Sequence, residues 1–231
     1  MKTEKKTTIL LPAGEWQQSL MTTFTNAGIY YFRESERNYS VSFPELGIEG
    51  VIVRTKSVPR LLSDENTKAV AGFTGTDILV QSGKSTLGDV ESGWNVPLAK
   101  FDENAPQPSV YLGITPNATE RFGNQISLEN IASGIVVSAY PELARQYFQQ
   151  EGYQPEIMQE DGKIEGLWRI MSRCFAICDI SSSGRTMREN HIDLFEVIMT
   201  VSLQLVVEDS KASEKDIERI ETLKKLLKPV R

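Results

Sequence analysis

The chain has 231 residues, of which 40% are apolar and 24% are charged, as is typical of a soluble globular protein. Its 31 acidic residues outnumber its 25 basic residues, and the net charge of −6 argues against a nucleic-acid-binding surface while leaving room for a local basic pocket. No apolar run approaches the roughly 20 residues of a membrane span, and too few apolar residues follow the charged N-terminus for a signal peptide. We therefore expect a cytoplasmic protein of one large or two small domains, with no membrane and no nucleic acid among its partners.

The first eighty residues alternate between strand and helix patterns, which predicts an α/β fold. Apolar residues recur at helical spacing after the first strand, and Gly28 stands where that helix would end. The predicted elements are a strand over 8–11, a helix over 16–27, loops or an edge hairpin over 30–43, a strand over 49–54, and a strand, glycine turn and helix start over 69–79.

The remaining residues continue the alternation after a linker-like stretch, 81–109, that is rich in Gly, Ser, Asp, Asn and Pro. We place the first crossing between domains in this stretch, with residues 1–95 and 187–231 forming domain I and residues 96–186 forming domain II. The predicted elements are a strand over 109–115, a polar loop over 116–130, a strand over 133–138, a helix from Pro141 to Gly152, a buried strand over 174–178, one or two strands over 194–207, and a C-terminal helix capped by Ser213 and Asp216.

Two features of these later elements bear on packing. Cys174 and Cys178 lie roughly 13 Å apart along one strand, which is too far for a disulfide bond. The C-terminal helix carries an apolar stripe that we expect to dock on the first domain or across a dimer.

A short stretch after the buried strand has the composition of a phosphate-binding loop. Asp179 is followed by three serines, a glycine and a threonine, and such small residues let backbone N–H groups and hydroxyls converge on one point. The helix start that follows favours an anion, and Arg185 adds a positive charge. The alternative is an ordinary serine-rich connection between a strand and a helix.

The order of these residues resembles the phosphoribosyl-pyrophosphate (PRPP) signature of the ATP phosphoribosyltransferase family. The matching run is Asp179-x-x-Ser182-Ser183-Gly184-Arg185-Thr186-Met187-Arg188-Glu189-Asn190. The resemblance implies that Ser182, Ser183, Gly184, Arg185 and Thr186 hold the 5′-phosphate of PRPP while Asp179 lies beside the ribose. Residues 138–148 follow the family's Thr-Lys-Tyr-Pro-x-Leu-x-x-x-Tyr-Phe, and residues 162–165 resemble its Gly-Ser-Val-Glu. By this resemblance, Glu165 and Asp179 are the candidate catalytic residues.

The chain departs from the family where cations face the polyphosphate groups. The family's Pro-Lys-Gly-Arg turn reads Pro-Ala-Gly-Glu here, so Ala13, Gly14 and Glu15 occupy it with a change of about three charge units, and a family lysine is replaced by Ala139. Arg54 is a remaining candidate for the acceptor or the pyrophosphate, with a surface salt bridge as its alternative role. Gly75 and Thr76 are candidates for the same site, and their alternative is a plain strand–helix turn.

The resemblance implies two α/β domains built like type II periplasmic binding proteins, with mixed sheets and a cleft between the domains. It also implies the first step of histidine biosynthesis, with PRPP and ATP as substrates, Mg²⁺ as cofactor, a homodimer, and a regulatory subunit related to histidyl-tRNA synthetase. The missing cations leave two alternatives open: transfer to another nitrogen base, or a non-catalytic ligand-binding or regulatory homologue that keeps the phosphate loop. No metal ligands are predicted from the sequence.

Overall fold

A computed structural model describes residues 5–87, 94–96 and 107–228. They form two compact units: unit 1 contains the described residues of 1–79, 91–103 and 202–231, and unit 2 contains those of 80–90 and 104–201. In chain order the elements are β1 (Thr7–Pro12), α1 (Glu15–Asn26), β2 (Ser40–Phe43), β3 (Ile48–Val53), α2 (Val58–Ser63), β4 (Ala69–Gly75), α3 (Thr76–Gln81), β5 (Trp94–Asn95), β6 (Ser109–Ile114), α4 (Pro116–Phe122), α5 (Leu128–Ala132), β7 (Ile135–Ser138), α6 (Pro141–Gln150), β8 (Glu156–Gln159), β9 (Cys174–Ser181), α7 (Arg185–Glu189), β10 (Asp193–Thr200), β11 (Leu203–Val207) and α8 (Glu214–Leu227).

Unit 1 is built on a mixed sheet with the strand order β2-β3-β1-β4-β11-β5. Strands β1, β3 and β4 are parallel, so their carboxyl ends meet at one edge of the sheet. Phe24 packs edge-to-face against Phe43 and Phe73 in the core, with ring centroids 5.2 and 6.0 Å apart. The apolar stripe of α8 joins this core, which confirms that the helix docks on the first domain.

Unit 2 is built on a second mixed sheet with the order β10-β6-β9-β7-β8. Strands β7, β8 and β9 are parallel, whereas β6 runs antiparallel to both β9 and β10. Gly113 in β6 lets the chain around α7 approach the sheet, because a Cβ atom there would lie 2.5 Å from Ile192 Cγ2 and 2.8 Å from Met187 Cε. The glycine therefore helps to set the distance between α7 and the sheet.

Several sequence predictions hold in this structure. Residues 30–43, predicted as loops or an edge hairpin, are mostly loop and end in the edge strand β2, which pairs antiparallel with β3. Both cysteines are free and buried, and burial raises the pKa of the Cys174 thiol to about 11 and that of Cys178 to about 12. Ser213 and Asp216 form the predicted capping box at the start of α8.

Other predictions differ from the structure. The polar loop predicted over 116–130 is wrong, because α4 and α5 occupy most of it, with Pro116 at the start of α4 and Ser127 capping α5. The strand predicted over 174–178 continues to Ser181, so Asp179 lies within β9. Residues 187–201 lie in unit 2, since β10 pairs with β6, so the return to unit 1 comes at residue 202 and not near 187.

The architecture is thus two α/β units in which β11 and α8, from the end of the described chain, return to complete the first unit. Two α/β units with mixed sheets are what the sequence resemblance implied. Every helix among the described residues is too short or too polar to cross a membrane.

Candidate functional site

The serine loop, defined as Ser181–Thr186, connects the end of β9 to the first turn of α7. Gly184 adopts a φ of +64°, a left-handed conformation that a residue with a side chain adopts only with strain. The loop is fixed by its own hydroxyls: Gly184 N donates to Ser181 Oγ at 2.9 Å, and Arg185 N donates to Ser183 Oγ at 3.3 Å. Hydrogen bonds within the loop therefore help to hold a tight turn at this position.

Several donors of this loop remain available to a ligand. The hydroxyls of Ser182 and Thr186 are on exposed residues and make no hydrogen bond within the described part of the chain. The backbone N–H groups of Thr186 and Met187 likewise donate to no described acceptor. Hydroxyls and N–H groups converging at a strand–helix turn are the donors that a phosphate monoester requires.

Two arginines follow Gly184, and their surroundings differ. Arg185 Nε lies 2.7 Å from Glu189 Oε1 in an exposed ion pair. The Arg188 guanidinium instead lies over the turn, 3.1 Å from the position that a Cβ atom on Gly184 would occupy. Sequence reasoning named Arg185 and missed Arg188, although helical side chains one turn after a loop point back towards it.

A cavity of about 320 Å³ opens beside the serine loop, and all of its lining residues belong to unit 2. Its apolar wall includes Leu194 and Val197, which are 59% and 50% exposed. The lining residues are Gln107, Ser109, Tyr111, Ser181, Ser182, Ser183, Gly184, Met187, Arg188, Ile192, Leu194 and Val197. Three of the predicted phosphate-binding residues line this cavity, namely Ser182, Ser183 and Gly184.

The two candidate carboxylates, Asp179 and Glu165, lie in the same unit, and both affect the pKa of the Tyr111 phenol. Asp179 is partly exposed in β9, its carboxylate accepts a hydrogen bond from Ile180 N at 2.7 Å, and its register partner in β6 is Tyr111. Glu165 is buried in the 3₁₀ turn Ile164–Arg169. Burial, and then the negative charges of Asp179 and Glu165, raise the pKa of the Tyr111 phenol. Both carboxylates therefore lie near Tyr111, which lines the cavity, although neither Asp179 nor Glu165 lines it.

The turn that carries Glu165 is attached to the end of α7 through one asparagine. Trp168 Nε1 donates to Asn190 O at 3.1 Å, and Arg169 Nη1 donates to Asn190 Oδ1 at 3.3 Å. The Arg169 guanidinium also stacks 4.5 Å from the centroid of the Trp168 ring. These contacts link the position of Glu165 to the helix that follows the serine loop.

The second predicted set lies in unit 1, at the carboxyl edge of its parallel strands. Ala13 follows β1 and donates its N–H to Val53 O at 2.8 Å, which places it beside Arg54 at the end of β3. Gly14 is exposed with a φ of +79°, and Arg54 is exposed. Glu15 begins α1, but its side chain lies outside the described structure.

Gly75 and Thr76 complete that set at the end of β4, and both are buried. Thr76 N donates to Ser202 O at 2.9 Å, and Thr76 Oγ1 accepts from Ser202 N at 3.1 Å. The Thr76 side chain therefore holds the start of β11, which is a structural contact within unit 1.

Comparison with known proteins gives consistent matches. The family model described as ATP phosphoribosyltransferase matches residues 54–229. The ATP phosphoribosyltransferase of Halalkalibacterium halodurans is 27% identical over 227 residues, which cover 96% of each chain. That of Moorella thermoacetica is 31% identical over 194 residues, which cover 82% of this chain and 77% of the relative.

A solved structure shares the fold. It is the ATP phosphoribosyl transferase (HisG:HisZ) complex from Thermotoga maritima, which matches with a TM-score of 0.66 and 23% identity over 95% of this chain and 96% of the other.

Proposed function

This chain belongs to the ATP phosphoribosyltransferase family, and from that premise we propose that it transfers the phosphoribosyl group of PRPP to a ring nitrogen of ATP, the first step of histidine biosynthesis. The observation that carries the proposal is the serine loop: the Ser182 hydroxyl makes no hydrogen bond within the described residues, and Ser182 lines a cavity that Arg188 also lines. In the transfer, the bond from ribose C1 to the pyrophosphate oxygen breaks and a bond from C1 to the nitrogen forms.

Each part of the site has a role in this proposal. Ser182 and Thr186 donate to the 5′-phosphate and thereby fix the ribose, because positioning one reactant removes much of the entropic barrier. Asp179 lies beside the ribose, and its negative charge, with that of Glu165, stabilises the positive charge that develops at C1. Gly184 gives the phosphate close access to the backbone.

The cofactor implied by this chemistry is Mg²⁺. Among residues 5–87, 94–96 and 107–228, no three His, Cys, Asp or Glu side chains are grouped so as to hold a metal ion. Mg²⁺ does not need such a group, because it keeps several waters and binds one or two carboxylates together with substrate phosphates. The partly exposed Asp179 fits that requirement. Bound there, the ion would neutralise charge on the departing pyrophosphate.

The missing cations affect the identity of the acceptor. Ala13 and Glu15 replace a lysine and an arginine of the family, and Ala139 packs against the apolar cluster of unit 2 where the family has a lysine. Arg54, exposed at the carboxyl edge of the sheet, is the cation of the predicted set that remains for the polyphosphate. A less anionic nitrogen base is the second candidate acceptor, and the loss of positive charge at the turn favours it.

We also propose a cytoplasmic homodimer that works with a regulatory subunit. The Thermotoga maritima structure supports the subunit, because it is a complex of two named components. The family resemblance implies that this partner is related to histidyl-tRNA synthetase.

The test is pyrophosphate release from PRPP in the presence of Mg²⁺ and either ATP or a set of uncharged nitrogen bases. We expect release with ATP, and loss of that release in Asp179→Asn. Release with another base alone would identify the second acceptor class. No release with any acceptor, with and without the regulatory subunit, would favour the non-catalytic alternative.

A further inference from the structure

Tyr111 carries a buried hydroxyl that has no hydrogen-bond partner. Its side chain is 4% exposed, and within the described residues no group meets the full geometry of a hydrogen bond with its Oη, although the Ser181 hydroxyl lies close to it. Tyr147 in the same unit is 6% exposed, but its hydroxyl donates to Glu196 Oε2. Buried hydroxyls are normally paired because they have lost their water, so the unpaired Tyr111 needs an explanation.

The position of Tyr111 indicates what the missing partner is. In the β6–β9 pair, Tyr111 lies opposite Asp179 and Ser109 lies opposite Ser181, so these four side chains share one face of the sheet. Tyr111 also lines the cavity beside Ser182 and the rest of the serine loop. Tyr111 therefore shares a sheet face with the carboxylate assigned to the ribose and a cavity with the loop assigned to the 5′-phosphate.

The chemistry of the Tyr111 hydroxyl matches that of the proposed ligand. A neutral phenol has one proton to donate, and a phosphate ester or ribose oxygen is an acceptor of matching kind.

On the basis of the proposed function, we propose that Tyr111 is a substrate-binding residue whose hydroxyl donates a hydrogen bond to the ribose 5-phosphate part of PRPP. In the complex, the ligand supplies the hydrogen-bond partner that the hydroxyl lacks in the free protein. Tyr111 thus adds a contact from the sheet to those from the serine loop.

The experiment compares Tyr111→Phe with Tyr147→Phe in the full chain. Both changes remove one buried phenolic oxygen, but only the first lies at the cavity. Calorimetric titration with PRPP, ribose 5-phosphate and pyrophosphate measures binding, and thermal unfolding without ligand measures the role of each hydroxyl in the fold.

We expect Tyr111→Phe to weaken binding of PRPP and ribose 5-phosphate about ten- to a hundredfold, to leave pyrophosphate binding unchanged, and to keep or raise the melting temperature. Tyr147→Phe should lower the melting temperature by about 2–4 °C and bind PRPP as the wild type does. Wild-type PRPP affinity in Tyr111→Phe, or a melting temperature lowered as in Tyr147→Phe, would overturn the inference. If the wild type binds neither PRPP nor ribose 5-phosphate, the proposed function itself fails and takes the inference with it.

Discussion

At the scale of single residues, Thr186 offers the simplest test of the serine loop, because its exposed hydroxyl has no bond to lose in the free protein. Thr186→Ala should raise the dissociation constant for PRPP about ten- to a hundredfold, as expected when a hydrogen bond to a charged group is lost. The measurement is calorimetric titration with PRPP. Thr222→Ala is the matched control, since that hydroxyl donates to Glu218 O on the surface of α8. Equal affinity in both variants would contradict the assignment of the loop.

Arg185 and Arg188 are predicted to differ although both belong to the same motif. Arg188 lines the cavity, whereas Arg185 is paired with Glu189 at 2.7 Å. Arg188→Gln should therefore weaken PRPP binding more than Arg185→Gln, and the difference should shrink as salt is raised. Titrations of both variants at two ionic strengths check this order, and the reverse order would support the phosphate-binding role that the sequence resemblance implied for Arg185.

At the scale of elements, the serine loop depends on how closely α7 approaches β6. Gly113→Ala places a Cβ atom 2.5 Å from Ile192 Cγ2, so the chain around α7 must shift away from the sheet. We expect a loss of about 1–3 kcal/mol of stability, as for other overpacked cores, together with weaker PRPP binding. Denaturant unfolding and PRPP titration measure the two effects.

Gly166→Ala is the control for that change, because a Cβ atom at Gly166 meets nothing within 4 Å and the backbone there is not left-handed. Its stability should stay within about 0.5 kcal/mol of the wild type. If Gly113→Ala were equally harmless, the close packing of Met187 and Ile192 on β6 would not be what positions the loop.

Elements with a strong local signal were predictable from the sequence. The amphipathic helix α6 begins at Pro141 and the capping box begins α8, as their residues indicated. Helices α4 and α5 were missed because they have only seven and five residues, too few for a period to stand out in a polar stretch.

The candidate site was predictable only in part, because a local pattern reveals only residues that are close together in the chain. The serine loop is contiguous in sequence, and the order of its residues alone marked it as a candidate phosphate-binding loop. Tyr111 lies beside Asp179 only because β6 pairs with β9, and that pairing joins residues far apart in the chain. No local pattern around Tyr111 marks it as a binding residue, so its unpaired hydroxyl could be found only in three dimensions.

At the scale of the whole molecule, the net charge of −6 repels the polyphosphate of ATP. Positive charge added at the turn after β1 should therefore raise the affinity for ATP. The double change Ala13→Lys and Glu15→Arg restores about three units of positive charge to a turn beside Arg54. At 0.1 M salt the screening length is about 10 Å, so the gain in ATP affinity should be larger at low salt than at high salt. Titration with ATP at two ionic strengths measures it.

The wild type is expected to bind ATP weakly in the same titration. If the wild type binds ATP tightly and the double variant does not, the polyphosphate site lies elsewhere in the protein. A variant no tighter than the wild type would remove the turn after β1 from the acceptor site.

The return of the chain to unit 1 has a consequence for synthesis on the ribosome. Strand β11 begins at Leu203 and lies between β4, which ends at Gly75, and β5, while α8 supplies part of the same core. The described strands of unit 2 are all synthesised by Thr200, when β4 still lacks its neighbour β11 on one side. The N-terminal domain therefore cannot be completed before the rest of the chain is made: the first unit to be translated is the last whose strands are all synthesised. Until then, the open edge of β4 is the part of the nascent chain most exposed to pairing with another strand.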